Sequence, residues 1–153
     1  MEREKNIFME KLLRIFKRKK NGKGRVYDSI YSNYLIFEGD YLNDYINGKG
    51  KEYYSNGDVE FQGEYINSVR NSLGKEYKYH NFLSFEGEYI NDVRNGKGKL
   101  FYGQNNLTFE GYFRGGVKNG KGKEYDNYGN LNFEGEYLNG ERNGKGKEYY
   151  DNK

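Results

Sequence analysis

The sequence contains no cysteine, no proline and no tryptophan, and one histidine among its 153 residues. The lack of cysteine excludes disulfides, thiolate nucleophiles and cysteine-ligated metals. No apolar run is long enough to span a membrane, and charges interrupt every apolar stretch near the start, so no secretory signal is visible. We therefore expect a cytoplasmic protein that uses no metal and no cofactor.

Aliphatic side chains are also sparse, whereas tyrosine, phenylalanine and glycine number 18, 10 and 22. The apolar fraction is 34% and the charged fraction 32%, which excludes a thick aliphatic core. A thin layer of aromatic rings is the alternative, since each ring buries a large area. Low hydrophobicity is also typical of disorder, but the strict internal period described next argues against it.

A three-residue phrase, Phe-Glu-Gly or Phe-Gln-Gly, recurs five times at intervals of twenty-four residues. A second phrase, Asn-Gly-Lys-Gly-Lys, lies between the copies, and its worn version contains Ser72 and Leu73. A fixed period of this length predicts an array of stacked units, not a globular domain with one active centre.

Each copy alternates apolar and polar residues, as in Phe37, Gly39 and Tyr41, which predicts a strand with one buried face. A second strand follows after a turn, so the fold class is mainly β: an elongated antiparallel meander of stacked hairpins with about eleven strands. The facing of the second strand stays open: alternation puts Lys51 on the same side as the aromatic Tyr53, so a bulge or an amphipathic lysine stem must be involved.

Glycine inside a strand costs stability, so its repetition predicts a use, namely space for an aromatic ring from the neighbouring strand. The residues expected to define the repeat structurally are Phe37, Gly39, Tyr41, Gly50, Phe61, Gly63, Tyr65, Gly74, Phe85, Gly87, Tyr89, Gly98, Phe109, Gly111, Phe113, Gly122, Phe133, Gly135, Tyr137 and Gly146.

The pattern over residues 4–19 predicts an amphipathic helix, and residues 1–20 carry eight basic and three acidic residues. The chain thus divides into a basic helical segment, 1–20, and a repeat array, 21–153, with a half repeat at 21–34 and five 24-residue repeats. The helix either caps the first strands or lies on an anionic membrane surface. The candidate membrane or partner contacts are Phe8, Lys11, Leu12, Arg14, Ile15, Phe16, Lys17, Arg18, Lys19 and Lys20.

Catalytic patterns are missing, because no nucleophile has a base beside it and His80 lies in a predicted exposed turn. The Asn-Gly-Lys-Gly-Lys phrase lacks the spacing of a phosphate-binding loop and is better explained as turn chemistry. The rows of carboxylates and lysines favour pairing between neighbouring strands and a solvated face over cation or phosphate binding. We therefore expect no enzyme. The repeat body has no basic stripe, so we expect no nucleic-acid partner.

The segment Phe133 to Asn152 resembles a MORN (membrane occupation and recognition nexus) repeat. The matching positions are Gly135, Tyr137, Gly140, Gly144, Gly146 and Tyr149. The resemblance covers about residues 21–153; Ser72, Leu73 and the pair Gly115-Gly116 depart from the pattern. It implies an elongated antiparallel sheet with roles in scaffolding, dimerisation and attachment near membranes. Phosphoinositide binding is proposed for the family, related arrays lie beside lipid kinase and methyltransferase domains, and similar bacterial phrases are labelled antitoxin-like.

The leading functional hypothesis is a non-catalytic scaffold that binds protein partners and self-associates through a sheet end. The alternative is an anionic-lipid-binding module that acts through the basic helix at a membrane periphery. A remote alternative is an antitoxin-like protein or a regulatory fragment of a larger enzyme such as a lipid kinase.

Overall fold

The computed structural model describes residues 19–28 and 33–150. Within these ranges it contains eleven β-strands and one short 3-10 turn, Tyr79–Asn81. The strands are β1 (Gly22–Tyr27), β2 (Leu35–Leu42), β3 (Tyr45–Tyr53), β4 (Val59–Ile66), β5 (Val69–Lys78), β6 (Phe82–Ile90), β7 (Val93–Tyr102), β8 (Asn106–Arg114), β9 (Val117–Tyr125), β10 (Leu131–Leu138) and β11 (Glu141–Glu148).

The eleven strands form one open sheet in sequence order, and each pairs antiparallel with the next. This arrangement confirms the predicted meander of hairpins. The predicted N-terminal helix lies outside the described residues, except for Lys19 and Lys20, which precede β1 and have no regular secondary structure.

A ladder of paired glycines crosses the whole sheet, with one glycine from each strand. Its members in strand order are Gly24, Gly39, Gly50, Gly63, Gly74, Gly87, Gly98, Gly111, Gly122, Gly135 and Gly146. Because every strand contributes one, the ladder fixes the register of all neighbours at once.

The buried side chains are two aromatic residues from each even-numbered strand. They are Phe37, Tyr41, Phe61, Tyr65, Phe85, Tyr89, Phe109, Phe113, Phe133 and Tyr137. Successive rings meet edge to face; Phe85, for example, lies 5.6 Å from Tyr89 and 5.2 Å from Phe113, measured between ring centroids. The core is therefore one continuous column of rings, as favoured by the quadrupole of aromatic groups.

The ladder glycines make room for this column. A Cβ placed on Gly50 would lie 2.6 Å from the Phe37 ring, and one on Gly98 would lie 2.6 Å from the Phe85 ring. Each phenylalanine lies over the glycine two residues later in its own strand and over the paired glycine of the next strand. The expected use of glycine as space for a ring is confirmed, but at Gly39 and its equivalents the ring belongs to the same strand and not to the neighbouring one.

Tyr53 lies on the same face as Lys51, as plain alternation along β3 places it. The Tyr53 hydroxyl donates a hydrogen bond of 2.8 Å to Glu38. Tyr53 therefore lies on the side of the sheet opposite the ring column, together with Lys51, which pairs with Glu38. Tyr125 repeats this contact with Glu110 at 2.6 Å.

The turns that join even to odd strands stack along one long side of the sheet. Both central residues have positive φ, as in Asn91 (50°) and Asp92 (66°), which is the geometry of a type I′ hairpin turn. Gly115 and Gly116, which depart from the family pattern, adopt the same signs. The Asp92 amide donates to the Arg70 carbonyl at 2.9 Å, so each turn also bonds to the preceding hairpin.

Candidate interaction surface

The two faces of the sheet differ in chemistry. The face that carries the ring column is called the aromatic face, and the opposite face, which carries Glu38 and Lys51, is called the charged face. On the charged face the residues that flank the glycine ladder line an open trough of about 1000 Å³, from Lys49 in β3 to Lys145 in β11. Eight strand spacings separate these two strands, so the trough is about 38 Å long.

Lysines of odd strands and carboxylates of even strands alternate along both sides of the trough. The Lys75 ammonium lies 3.2 Å from the Glu86 carboxylate, and Lys123 lies 3.9 Å from Glu134. This is the pairing expected from the sequence. These side chains are about one-third to one-half exposed to solvent, so each pair stabilises the fold only slightly.

Some carboxylates of the charged face also hold the second strand of their hairpin. Asp40 accepts a hydrogen bond of 3.2 Å from the Lys49 amide, and Glu136 accepts one of 3.1 Å from the Lys145 amide. A hydrogen bond from Lys23, followed by the charge of that ammonium, lowers the pKa of Asp40. Asp40 therefore stays ionised at neutral pH.

The aromatic face is covered by charged groups drawn from neighbouring repeats. Arg94 forms an ion pair with Glu76, and its guanidinium lies 4.3 Å from the centroid of the Phe85 ring. The Tyr89 hydroxyl donates to the same carboxylate at 2.5 Å. Burial and this bond raise the pKa of Tyr89. Burial alone raises the pKa of Glu76, but the bonds from Arg94 and Tyr89 outweigh it and leave that pKa lowered.

The same covering set recurs one repeat earlier. Glu52 accepts a hydrogen bond of 2.6 Å from the Tyr65 hydroxyl and pairs with Arg70, whose guanidinium lies 4.2 Å from the Phe61 ring. The tyrosine follows the glutamate by 13 residues and the arginine follows it by 18.

One repeat after Glu76, the glutamate, the tyrosine and the arginine of the covering set are all replaced, by Leu100, Phe113 and Lys118. Leu100 packs on the ring column, and Lys118 turns to Glu124 at 2.8 Å, where Arg142 also binds. The sequence analysis missed these sets, although the simultaneous change at offsets 13 and 18 was a signal for them.

Exposed apolar residues border the type I′ turns on one long side of the sheet. They are Leu42, Tyr45, Ile66, Ile90, Val93, Val117 and Leu138. Most of these positions recur at the 24-residue period, so the exposed apolar residues are distributed along the whole array.

No cluster of three or more potential metal ligands occurs in the part of the chain that the structure describes. His80 lies in an exposed turn, where its amide donates to Asp58 at 2.8 Å. None of the described helical segments has the length and hydropathy needed to cross a membrane.

The repeat-defining residues predicted from sequence all lie in the glycine ladder or the ring column. Of the candidate membrane contacts, Phe8 to Arg18 lie outside the described residues. Lys20 is described: its amide donates to Asp44 at 2.8 Å, and its ammonium lies 5.5 Å from the Tyr41 ring. Whether this segment binds a membrane stays a prediction.

Comparison with protein families gives one result. The model of the MORN repeat matches residues 37–59, 85–106, 109–129 and 133–153. The chain belongs to the MORN repeat family. MORN repeats are in general repeats that mediate contacts with proteins and membranes. The unmatched stretch between the first two matches includes Ser72 and Leu73, the departures noted in the sequence. A comparison with curated proteins found no match.

Proposed function

We propose that this MORN array is a non-catalytic scaffold, and that a partner protein binds in the trough of the charged face. One observation carries the proposal: the aromatic face is filled by the protein's own rings, whereas the other face holds an open trough of about 1000 Å³. An exposed concave surface about 38 Å long suits a segment of another protein.

The chemistry of the trough supports binding over catalysis. Its floor is glycine, and its walls are lysine and glutamate side chains spaced regularly along the array. A repeated surface offers many similar contacts and no single centre where a nucleophile, a base and an oxyanion donor converge.

Site-specific cross-linking tests this function. Because the sequence has no cysteine, a photoreactive label attaches only to an introduced one. A label on Glu64→Cys, inside the trough, is expected to cross-link partner proteins in an extract of the source cells. The control is a label on Tyr128→Cys, because Tyr128 lies in an exposed turn outside the trough. Identical cross-links from both positions would contradict the assignment of the trough.

The second candidate function is peripheral membrane binding through residues 1–20, which carry eight basic and three acidic residues. Segments of this kind bind anionic lipids by adding electrostatic attraction to apolar burial. Flotation with phosphatidylserine vesicles compares the full chain with a variant that lacks residues 1–18. Unchanged binding after the deletion would remove the N-terminal segment from consideration.

Self-association through a sheet end is a further possibility, because all residues of β11 are exposed. In a symmetric pair aligned on Gly146, Lys145 of one copy would face Lys147 of the other. Like charges directly opposite each other destabilise a strand pair, so we expect weak association that strengthens with salt. Light scattering at several concentrations and salt levels measures it, and a dimer that weakens with salt would contradict this account.

A further inference from the structure

The alternation of charge along the trough is broken at a tyrosine. Tyr112 in β8 stands where the other even strands have an acid, namely Asp40, Glu64, Glu88 and Glu136. Its ring is half-exposed on the charged face and lines the trough. One carboxylate is therefore missing from the middle of the array.

The loss leaves an excess of positive charge around the tyrosine. Lys97 and Lys99 of β7 and Lys121 and Lys123 of β9 line this part of the trough, and β8 between them supplies a single carboxylate, Glu110; Lys123 also lies 3.9 Å from Glu134 of β10. These residues and Tyr112 are called the basic section. Within residues 19–28 and 33–150, no ion pair engages Lys97, Lys99 or Lys121. The Lys97 ammonium instead lies 5.9 Å from the centroid of the Tyr112 ring.

The basic section is short and has acidic borders. It covers β7 to β9, about 10 Å across the strands. Glu86 and Glu88 border it on one side, and Glu134 and Glu136 border it on the other. A short acidic segment fits between these borders. A uniformly anionic bilayer would bring its headgroups against the bordering carboxylates as well, which is unfavourable.

A second departure supplies an apolar contact. Leu73 in β5 stands where other odd strands have Lys49, Lys97, Lys121 and Lys145, and its side chain lines the trough 60% exposed. Three strand spacings separate β5 from β8, or about 14 Å. An extended peptide covers this distance with about four residues.

We propose that the basic section and Leu73 together bind an acidic segment of a partner protein that has an apolar residue about four positions from its carboxylates. The proposal rests on the function assigned to the trough and adds the chemistry of the partner. The lysines attract the carboxylates of the partner segment, and the Tyr112 ring packs on the aliphatic stems of the partner's acidic side chains. Leu73 contacts the apolar side chain of the segment.

Fluorescence anisotropy with labelled synthetic peptides tests this inference. The acidic probe carries three glutamates, a spacer of about four uncharged residues and a leucine. One comparison peptide has glutamine in place of glutamate, and another has serine in place of leucine. We expect the acidic probe to bind more tightly than the glutamine peptide, and to lose affinity as salt is raised.

Tyr112→Glu restores the acid that the other repeats carry, so the fold is expected to tolerate it. The variant should bind the acidic probe about five- to ten-fold more weakly, because the new carboxylate opposes the ligand. Tyr128→Glu is the matched control and should leave binding unchanged, since Tyr128 lies outside the trough. Leu73→Ala should weaken binding of the leucine probe about three-fold and leave the serine probe unaffected.

Three results would overturn the inference. Equal affinity for the acidic and glutamine peptides would remove the basic section as the selective feature. Failure of the acidic probe to bind would remove the acidic segment as the ligand. Stronger binding to phosphatidylserine vesicles than to the probe, lost in Tyr112→Glu, would assign the basic section to a membrane surface. The first two results leave cross-linking from Glu64→Cys unchanged, so they are distinguishable from failure of the proposed function.

Discussion

Phe85 and Glu86 are neighbours in β6, yet the phenylalanine is fully buried while the glutamate borders an open trough. The same contrast holds along every even strand, because alternate side chains point to opposite faces. The aromatic face stabilises the array, and the charged face is left accessible. Side chains that stabilise the array therefore alternate along each strand with side chains of the proposed binding surface, and mutations on the two faces are expected to have different effects.

The largest effect is expected on the aromatic face. Phe85→Ala removes a ring that contacts Tyr89, Phe113 and two ladder glycines, and should lower the free energy of unfolding by about 3–5 kcal/mol. Tyr112→Ala, on the charged face, should lower it by less than about 1 kcal/mol. Urea denaturation of both variants gives the comparison. Equal losses would show that the two faces do not divide the roles.

A smaller effect is expected at the ladder. Gly98→Ala places a Cβ 2.6 Å from the Phe85 ring. It should destabilise the protein by about 1–3 kcal/mol, because the fully buried ring has no space to move away from the new methyl group. Gly57→Ala meets no atom within 4 Å but has a φ of +87°, so its cost is conformational, about 1 kcal/mol. Thermal unfolding ranks the two, and a larger loss at Gly57 would contradict the role of the rings.

The covering sets allow a test within the aromatic face. Glu52→Leu alone leaves Arg70 and the Tyr65 hydroxyl without their partner, and should cost about 2 kcal/mol. Adding Tyr65→Phe and Arg70→Lys reproduces the set found at Leu100, with Glu76 placed to receive the new lysine as Glu124 receives Lys118. Most of the loss should then be recovered. A triple variant as unstable as the single one would mean that the three positions are independent.

The smallest effect is a change in pH dependence. The folded pKa of Glu76 is lowered, so its contribution to stability is present above the unfolded value of about 4.3 and is lost as pH falls through the folded value. Glu76→Gln should therefore flatten the acid-induced loss of stability below about pH 4. Glu134→Gln, which removes an exposed carboxylate of the trough, is the control. Urea midpoints measured from pH 3 to 6 distinguish the two variants. Parallel curves for wild type and Glu76→Gln would exclude Glu76 as a source of the acid-induced loss of stability.

The sequence predicted the fold well, because the signals for it were repeated in every unit. Alternation at Phe37, Gly39 and Tyr41 indicated the buried face, and the glycines indicated a close approach of rings. Both signals lie within a single strand and recur every 24 residues, so they can be read directly from the sequence. The structure confirmed the single meander and the role of the glycines.

The features that sequence reasoning missed depend on contacts between repeats. The hydrogen bond from Tyr53 to Glu38 joins residues fifteen positions apart in neighbouring strands, and it does not follow from alternation. The partnership of Glu52 with Arg70 joins residues eighteen positions apart. The basic section at Tyr112 becomes visible only once the register places the lysines of β7 and β9 on either side of β8.

The glycine ladder has a consequence for how such a protein changes in length. Each hairpin meets its neighbours through a glycine pair and an edge-to-face ring contact, so insertion or deletion of one unit leaves both kinds of contact in place at every other junction. One added unit would extend the sheet by two strand spacings, roughly 10 Å. The length of the sheet therefore changes only in whole hairpins.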